Sequence, residues 1–171
     1  MKIRKIHKSA EIWFLQFLDK KDLSLDYLQK GRCFGLFAED DLLGGYCLVY
    51  EPFYQMYTIQ QIPKADRQFD DEDPFNYIEV VGLFSFSDKY TNKILRHLAL
   101  RILLHKASYV VYSYLASDTK TEEYCRVGNP LRLYSGAVKN KNAPVNVEIM
   151  TKLGILKIWL REVFSFLPFT K

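Results

Sequence analysis

A strand, a helix and a second strand follow one another between residues 77 and 115, and this run constrains the fold more than any other feature. Residues 77–86 and 109–115 are apolar runs rich in β-branched and aromatic residues, which is typical of buried strands. Between them, residues 88–106 carry an apolar stripe at helical spacing: Ile94, Leu95, Leu98, Ile102 and Leu103. Two strands joined through a helix lie parallel in one sheet. The sequence therefore predicts an α/β domain.

Upstream of this unit the sequence predicts a β-hairpin. Residues 33–38 and 42–50 are β-rich runs, and the short acidic turn at 39–41 joins them. Gly44 and Gly45 in the second run indicate a β-bulge or the close approach of another backbone.

The other predicted elements are spread over both ends of the chain: a strand at 2–7, helices at 9–21 and 24–31, a short helix at 119–126, strands at about 131–139 and 145–151, and an amphipathic helix at 155–166. Acidic residues crowd into the segment 64–74, which predicts an exposed loop because like charges resist packing. We expect one domain, with a core at about 2–152 and a C-terminal helical extension at 153–171.

Composition restricts the classes of function. The net charge is only +4, from 24 basic and 20 acidic residues, which argues against a dedicated nucleic-acid binder. The three cysteines include no C-x-x-C pair, which argues against a zinc ribbon or a disulfide framework and favours reduced thiols in the cytoplasm. The sequence contains no run of 18 apolar residues, so it predicts no membrane span.

The order of the elements over residues 2–152 resembles that of the GNAT superfamily of N-acyltransferases. The segment 36–45, Leu-Phe-Ala-Glu-Asp-Asp-Leu-Leu-Gly-Gly, is similar to the hairpin of that family. The segment 124–128, Tyr-Cys-Arg-Val-Gly, resembles its late Tyr-x-Lys/Arg-x-Gly segment. The resemblance implies a mixed, mostly antiparallel central sheet flanked by helices, to which this chain adds a C-terminal helix.

The resemblance also implies a reaction, in which an acyl-CoA, most commonly acetyl-CoA, passes its acyl group to an amine by direct attack in a ternary complex. Tyr124 would protonate the departing thiolate, since a phenol is protonated at neutral pH. Glu79, in the predicted central strand, would be the base that deprotonates the amine. Backbone amides around Phe84, Ser85 and Phe86 would contact the pantetheine arm.

The predicted diphosphate-binding segment, residues 88–96, departs from the pattern of the family. Tyr90, Asn92 and Lys93 can be aligned with its Tyr-Arg-Gly-Lys stretch, which implies that they contact the cofactor. Ile94 and Arg96, however, replace two glycines that would allow the backbone to approach the anion. Three interpretations remain: an acyltransferase that binds CoA in a shifted pose, a catalytically inactive GNAT-fold domain that binds a ligand or a protein, and a nucleic-acid-modifying branch.

The expected partner is a small-molecule or peptide amine, with no membrane and no metal. His97, Arg101 and His105 share one helix face, but without the Glu of a metalloprotease helix they indicate a solvated basic face rather than a metal site. Trp159 and Phe164 make the last helix apolar, so it either covers an edge of the sheet or forms a homodimer contact.

Overall fold

Seven strands form one sheet in the computed structural model, which describes residues 1–19, 23–67, 75–138 and 143–164. The strands are β1 (Lys2–Lys5), β2 (Arg32–Ala38), β3 (Asp41–Val49), β4 (Tyr77–Ser85), β5 (Tyr109–Leu115), β6 (Leu131–Gly136) and β7 (Val145–Thr151). Their order across the sheet is β1-β2-β3-β4-β5-β7-β6. Every neighbouring pair is antiparallel except β4 and β5, which are parallel. The predicted mixed, mostly antiparallel sheet is confirmed.

Six α-helices accompany the sheet within the described residues: α1 (Ser9–Asp19), α2 (Leu25–Gln29), α3 (Tyr57–Gln61), α4 (Asp88–Leu103), α5 (Thr119–Arg126) and α6 (Lys152–Phe164). The sequence predicted five of them. It missed α3 and the two 3-10 turns on either side of it, Phe53–Gln55 and Lys64–Asp66, and it placed the start of the last helix at residue 155 instead of Lys152. Some predicted features lie outside the described residues. They are the end of the first helix at Lys21, the end of the sixth strand at 139, the end of the last helix at 166, and most of the acidic loop.

The two faces of the sheet carry separate parts of the core. Because side chains alternate along a strand, Leu36 and Leu48 face α4, whereas Cys33 and Cys47 face α1 and α2. From α4, Ile94, Leu98 and Ile102 are all buried against the first face. Each such side chain contributes about 1.5–3 kcal/mol by leaving water, so the predicted apolar stripe fixes α4 on the sheet.

The C-terminal helix α6 belongs to the same fold unit. It packs against α4 and runs in the opposite direction, because Lys152 N donates to Ser108 O near the end of α4 while Arg96 Nη2 donates to Glu162 O. Its Ile158 is buried. Where α6 begins, Gly154 lies so close to Gly128 that a Cβ on either glycine would crowd the other's carbonyl oxygen. The helix therefore packs on the chain's own α4 and on the end of β7, and the homodimer stays a prediction.

None of the helices within the described residues has the length and apolar character needed to cross a membrane.

Candidate active site

The two parallel strands at the centre of the sheet separate from each other after a short contact. Both lie wholly within the described residues, and their pairing is confined to Tyr77–Tyr109, Ile78–Val110 and Glu79–Val111. Beyond that point β4 stays paired with β3 as far as Ser85, and β5 stays paired with β7 as far as Leu115. Residues 80–85 of β4 and 112–115 of β5 therefore border an opening, which we call the β4–β5 gap.

A β-bulge in β4 accounts for this separation. Gly45 faces Phe84 and Cys47 faces Val81, so the one residue Tyr46 stands opposite both Gly82 and Leu83. Gly82 has φ +62°, the left-handed conformation that glycine adopts without strain. A bulged strand bends away from its regular course, and here the bend comes three residues after the last pair with β5.

The end of β4 presents aromatic rings to the surroundings. The Phe84 and Phe86 rings are 5.8 Å apart and nearly perpendicular, and Phe86 also lies 6.5 Å from Phe14 of α1. Phe86 is 56% exposed. Next to Phe14, an open groove of about 440 Å³ is lined mainly by apolar side chains of α1 and the β2–β3 hairpin. Ser85 Oγ donates to Ser87 O, so this hydroxyl shapes the turn into α4.

Most of the backbone amides at the start of α4 have acceptors within the protein. Ser87 is the N-cap: its Oγ accepts from Lys89 N, and its carbonyl oxygen accepts from Tyr90 N and Thr91 N. Ser87 N in turn donates to Ser85 Oγ. At a helix start these are the amides that usually remain open to an anion. In this chain most of them already have protein acceptors.

Three of the residues predicted to bind the cofactor lie inside α4 rather than in a loop before it. Tyr90 is half-buried against the core, Asn92 is exposed, and Lys93 Nζ donates to Met1 O at 3.1 Å. The two residues that replace glycines point elsewhere: Ile94 is buried beside Gly44, and Arg96 reaches α6. Their contacts are therefore with β3 and α6.

Tyr124 of α5 lies where α4, α5 and α6 meet. Arg96, Arg161 and Glu162 are its charged neighbours. Burial, and then the charge of Glu162, raise the pKa of Tyr124 above that of a free phenol. The hydroxyl is therefore protonated at neutral pH, as a proton donor must be.

A buried carboxylate organises the strands that continue the sheet past the gap. Glu148 of β7 accepts hydrogen bonds from Tyr112 Oη and Tyr114 Oη, both at 2.9 Å, and from Arg132 Nε and Nη2. Arg132 also pairs with Glu122 of α5 at 2.8 Å. These bonds fix Tyr112 and Tyr114, which border the gap on β5, to β7.

Glu79 lies on the opposite face of the sheet from α4, at the closed end of the gap. Its side chain is fully buried. Thr58 N and Tyr57 N donate to the two carboxylate oxygens at 2.6 and 3.3 Å, and Tyr27 Oη donates to Oε2. The carboxylate thus accepts the first amides of α3 and holds that short helix on the sheet. These three donors hold the carboxylate in place on this face of the sheet.

A small cleft lies next to these groups, lined by Tyr57, Thr58, Gln61, Ser113, Val138, Val145 and Val147. It has room for about one water-sized group. Gln61 Oε1 is buried and has no hydrogen-bond partner among the described residues. The cleft therefore offers an acceptor for an N–H group near the closed end of the gap.

His97 of α4 and His105, just after the end of that helix, pack against Tyr46 and Tyr50 and are not simply solvated as predicted. Tyr46 Oη lies 2.6 Å from His97 Nδ1, and the His105 ring lies 4.3 Å from the Tyr50 ring. Burial, with Arg101 nearby for His97, lowers the pKa of both rings. The described residues contain no group of three His, Cys, Asp or Glu side chains that could hold a metal ion.

No protein-family model matches the sequence, and no curated protein matches it. Solved structures, in contrast, match most of the chain. The N-acyl amino acid synthase FeeM from uncultured soil microbes has a TM-score of 0.61 at 14% identity, over 95% of this chain and 97% of that one. An acetyltransferase of the GNAT family from Streptococcus pneumoniae has a TM-score of 0.57 at 9% identity, over 88% and 98%. This chain has the GNAT fold. A Bacillus subtilis acetyltransferase in complex with CoA has a TM-score of 0.59 at 13% identity, over 88% and 97%.

The GNAT fold brings together some of the predicted site residues and separates others. Phe84, Ser85 and Phe86 lie side by side where β4 meets α4. Glu79 and Tyr124 lie on opposite faces of the sheet, so they could act on one reaction only through the β4–β5 gap. Sequence reasoning missed Gly82, although a lone glycine inside an apolar strand is a known signal of a bulge.

Proposed function

We propose that this protein transfers an acyl group from an acyl-CoA thioester to an amine. The observation that carries the proposal is the β4–β5 gap: residues 80–85 of β4 have β3 on one side and no strand on the other. An extended amide-containing chain can pair with such a free edge as an added strand. The pantetheine arm of CoA contains two amides, so it suits this edge.

The thioester would lie between the two faces of the sheet. The donor enters from the side of α4, α5 and α6, and the amine enters from the side of α1 and α3. The nitrogen attacks the thioester carbonyl, the C–S bond breaks, and Tyr124 gives its proton to the departing sulfur. The raised pKa of Tyr124 keeps this proton available at neutral pH.

Glu79 acts as a positioning residue in this proposal. Its carboxylate is already bound to Tyr57 N, Thr58 N and Tyr27 Oη, so the proton of the amine passes to water. Gln61 Oε1, in the adjacent cleft, accepts an N–H of the amine.

The diphosphate of CoA fits this chain less well than the arm does. Ser87 occupies most of the amides at the start of α4, and Asp88 adds a negative charge there. The nearby cations, Lys89 and Lys93, are exposed, where an ion pair contributes only about 0.2–1 kcal/mol. We therefore place most of the binding energy of the donor in the arm and the acyl group.

The acyl group is acetyl in the simplest form of the proposal. The exposed Phe86 ring and the apolar groove beside Phe14 also suit a longer acyl chain. A comparison of acetyl-CoA with a medium-chain acyl-CoA tests which one binds better.

Thermal unfolding with and without ligand is the first test. A ligand at 100 times its Kd adds about 2.7 kcal/mol, which corresponds to about 5–11 °C for a domain of this size. We expect shifts of this kind with acetyl-CoA or medium-chain acyl-CoA, and we expect S-acetyl-pantetheine to bind within about tenfold of acetyl-CoA. The absence of any shift with all three ligands at millimolar concentration would contradict the proposal and favour a GNAT-fold domain that binds another ligand or a protein.

Turnover of a panel of amines by Tyr124→Phe is the second test. A general acid contributes about 10²–10⁴-fold, so we expect at least about a 100-fold loss with the donor-induced thermal shift retained. Tyr54→Phe is the matched control, because Tyr54 is 54% exposed and is among neither the residues that border the gap nor those that line the cleft. Full turnover by Tyr124→Phe would remove this residue from the mechanism.

The role of Glu79 needs a separate test. Glu79→Gln keeps the shape but weakens the hold on α3, so we expect a raised KM for the amine and a pH profile of kcat like that of the parent. If the acidic limb of that profile disappears in the variant, Glu79 is the base that the sequence suggested.

A further inference from the structure

Two cysteines of the hairpin face each other inside the sheet. Cys33 of β2 and Cys47 of β3 are directly opposite in the antiparallel register, 14 residues apart along the chain. Their sulfur atoms lie 2.9 Å apart. Both side chains are buried, at 2% and 0% exposure, and both thiols lie within hydrogen-bonding distance of Leu28 O in α2.

This arrangement satisfies the backbone requirements of a disulfide. Directly opposite residues in an antiparallel pair have Cα atoms about 4.5–5.5 Å apart, and disulfides form across about 4.4–6.8 Å. The two strands therefore need no change of register or spacing. The side chains are already turned toward each other.

We propose that Cys33 and Cys47 form a reversible intramolecular disulfide when the protein meets a hydroperoxide or a small disulfide oxidant. The two thiols are then a modification site that ties β2 to β3 behind α2. The third cysteine, Cys125, takes no part in it.

With hydrogen peroxide the reaction balances in two steps. The Cys33 thiol loses its proton and its sulfur attacks one peroxide oxygen; the O–O bond breaks, a sulfenic acid forms, and the departing hydroxide takes up that proton to give one water. The Cys47 sulfur then attacks the sulfenic sulfur, the S–O bond breaks, and a second water leaves. Two electrons pass from the sulfurs to the peroxide. The hydrogen bond between the two sulfurs, opposed by burial and aided by the charge of Lys5, lowers the pKa of Cys33, so this thiol reacts first.

The short helix α2 controls access to the pair. It has five residues, too few to be stable without its packing, and its Leu28 carbonyl covers both sulfurs. Opening of α2 exposes the thiols, and closing it again shields the disulfide from reductants.

The test counts free thiols in the full-length protein after treatment with hydrogen peroxide or diamide. Unfolding in excess N-ethylmaleimide followed by intact mass measurement reads the number of labels. We expect it to fall from three, one for each cysteine, to one, and to return to three after reduction. Cys125→Ala is the matched control, in which the count falls from two to none. Burial raises the pKa of Cys125 to about 11, which keeps it a thiol.

A digest identifies the partners. Cleavage after Glu39, in the turn between the two cysteines, separates the hairpin into two fragments that remain joined only by a Cys33–Cys47 bond. The joined fragments should disappear on reduction and in Cys47→Ala. Three labels after oxidation, or a bond that involves Cys125, would overturn the proposal. Should Cys47→Ala fail to fold, the digests of the parent and of Cys125→Ala decide the question by themselves.

Discussion

Replacement of Gly82 by alanine measures the conformational free energy of the left-handed residue in the bulge that opens the sheet. Gly82 has φ +62°, and a Cβ built there meets no heavy atom within 4 Å. The substitution therefore causes no steric clash, and only the backbone conformation is strained. This separation of strain from packing is uncommon for a buried glycine.

The expected loss of stability in Gly82→Ala follows from two opposing effects. An L-residue in the left-handed conformation costs roughly 1–2 kcal/mol. The smaller conformational freedom of alanine in the unfolded chain returns about 0.4–1 kcal/mol. We expect Gly82→Ala to lower the free energy of unfolding by about 1 kcal/mol, or the thermal midpoint by about 2–4 °C.

Urea unfolding followed by circular dichroism measures this change, and Gly82→Asn provides the comparison. Asparagine visits the left-handed region more readily than alanine does, so it should cost less at this position. A neutral or stabilising Gly82→Ala, or an asparagine variant that is less stable than the alanine variant, would show that residue 82 does not hold this conformation. The explanation for the β4–β5 gap would then be wrong.

Three further substitutions or conditions test the packing and charge of the same region. Gly154→Ala forces α6 away from the Gly128 carbonyl, so we expect a loss of about 1–3 kcal/mol in urea unfolding, and a neutral result would contradict the close contact. Glu148→Gln leaves Arg132 without its buried anion, so we expect the free energy of unfolding to fall by about 2 kcal/mol. The loss is smaller than for a fully buried pair because the Arg132 side chain is 42% exposed. Most of this loss should disappear when Glu148→Gln is made in a variant that already carries Arg132→Ala. Burial, and then the Glu148 hydrogen bond, raise the pKa of Tyr114 to about 12, so the folded state holds its proton where an unfolded tyrosine has lost it. Stability should therefore fall as the pH rises from about 10 to about 12, and an unfolding midpoint that is constant over this range would refute the shift.

Local patterns predicted most of the fold. The helical stripe of α4 and the two apolar runs beside it were enough to place β4 and β5 in parallel, because few other arrangements connect two strands through a helix. The short acidic turn between β2 and β3 predicted their hairpin, because a connection this short joins two strands only as antiparallel neighbours. The GNAT order of elements followed from these local signals.

The remaining features depend on contacts between distant segments. The helix α3 has only five residues and no apolar periodicity, so the sequence gives no sign of it. It forms where the buried carboxylate of Glu79 accepts its first amides, 21 residues away from Thr58. The sequence likewise does not show which donors reach the Glu79 carboxylate, so the role as a base that the family resemblance implies stays a prediction.

The short contact between β4 and β5 also has a mechanical consequence. The strands β1–β4 form one half of the sheet and β5–β7 the other, and only three residue pairs of β4 and β5 hold these halves together along the sheet. We expect this short junction to act as a hinge about Glu79 and Val111, with α4 and α6 packed together across it. Amide hydrogen exchange should be slowest in the outer ladders of each half and fastest along the inner edges of residues 80–85 and 112–115.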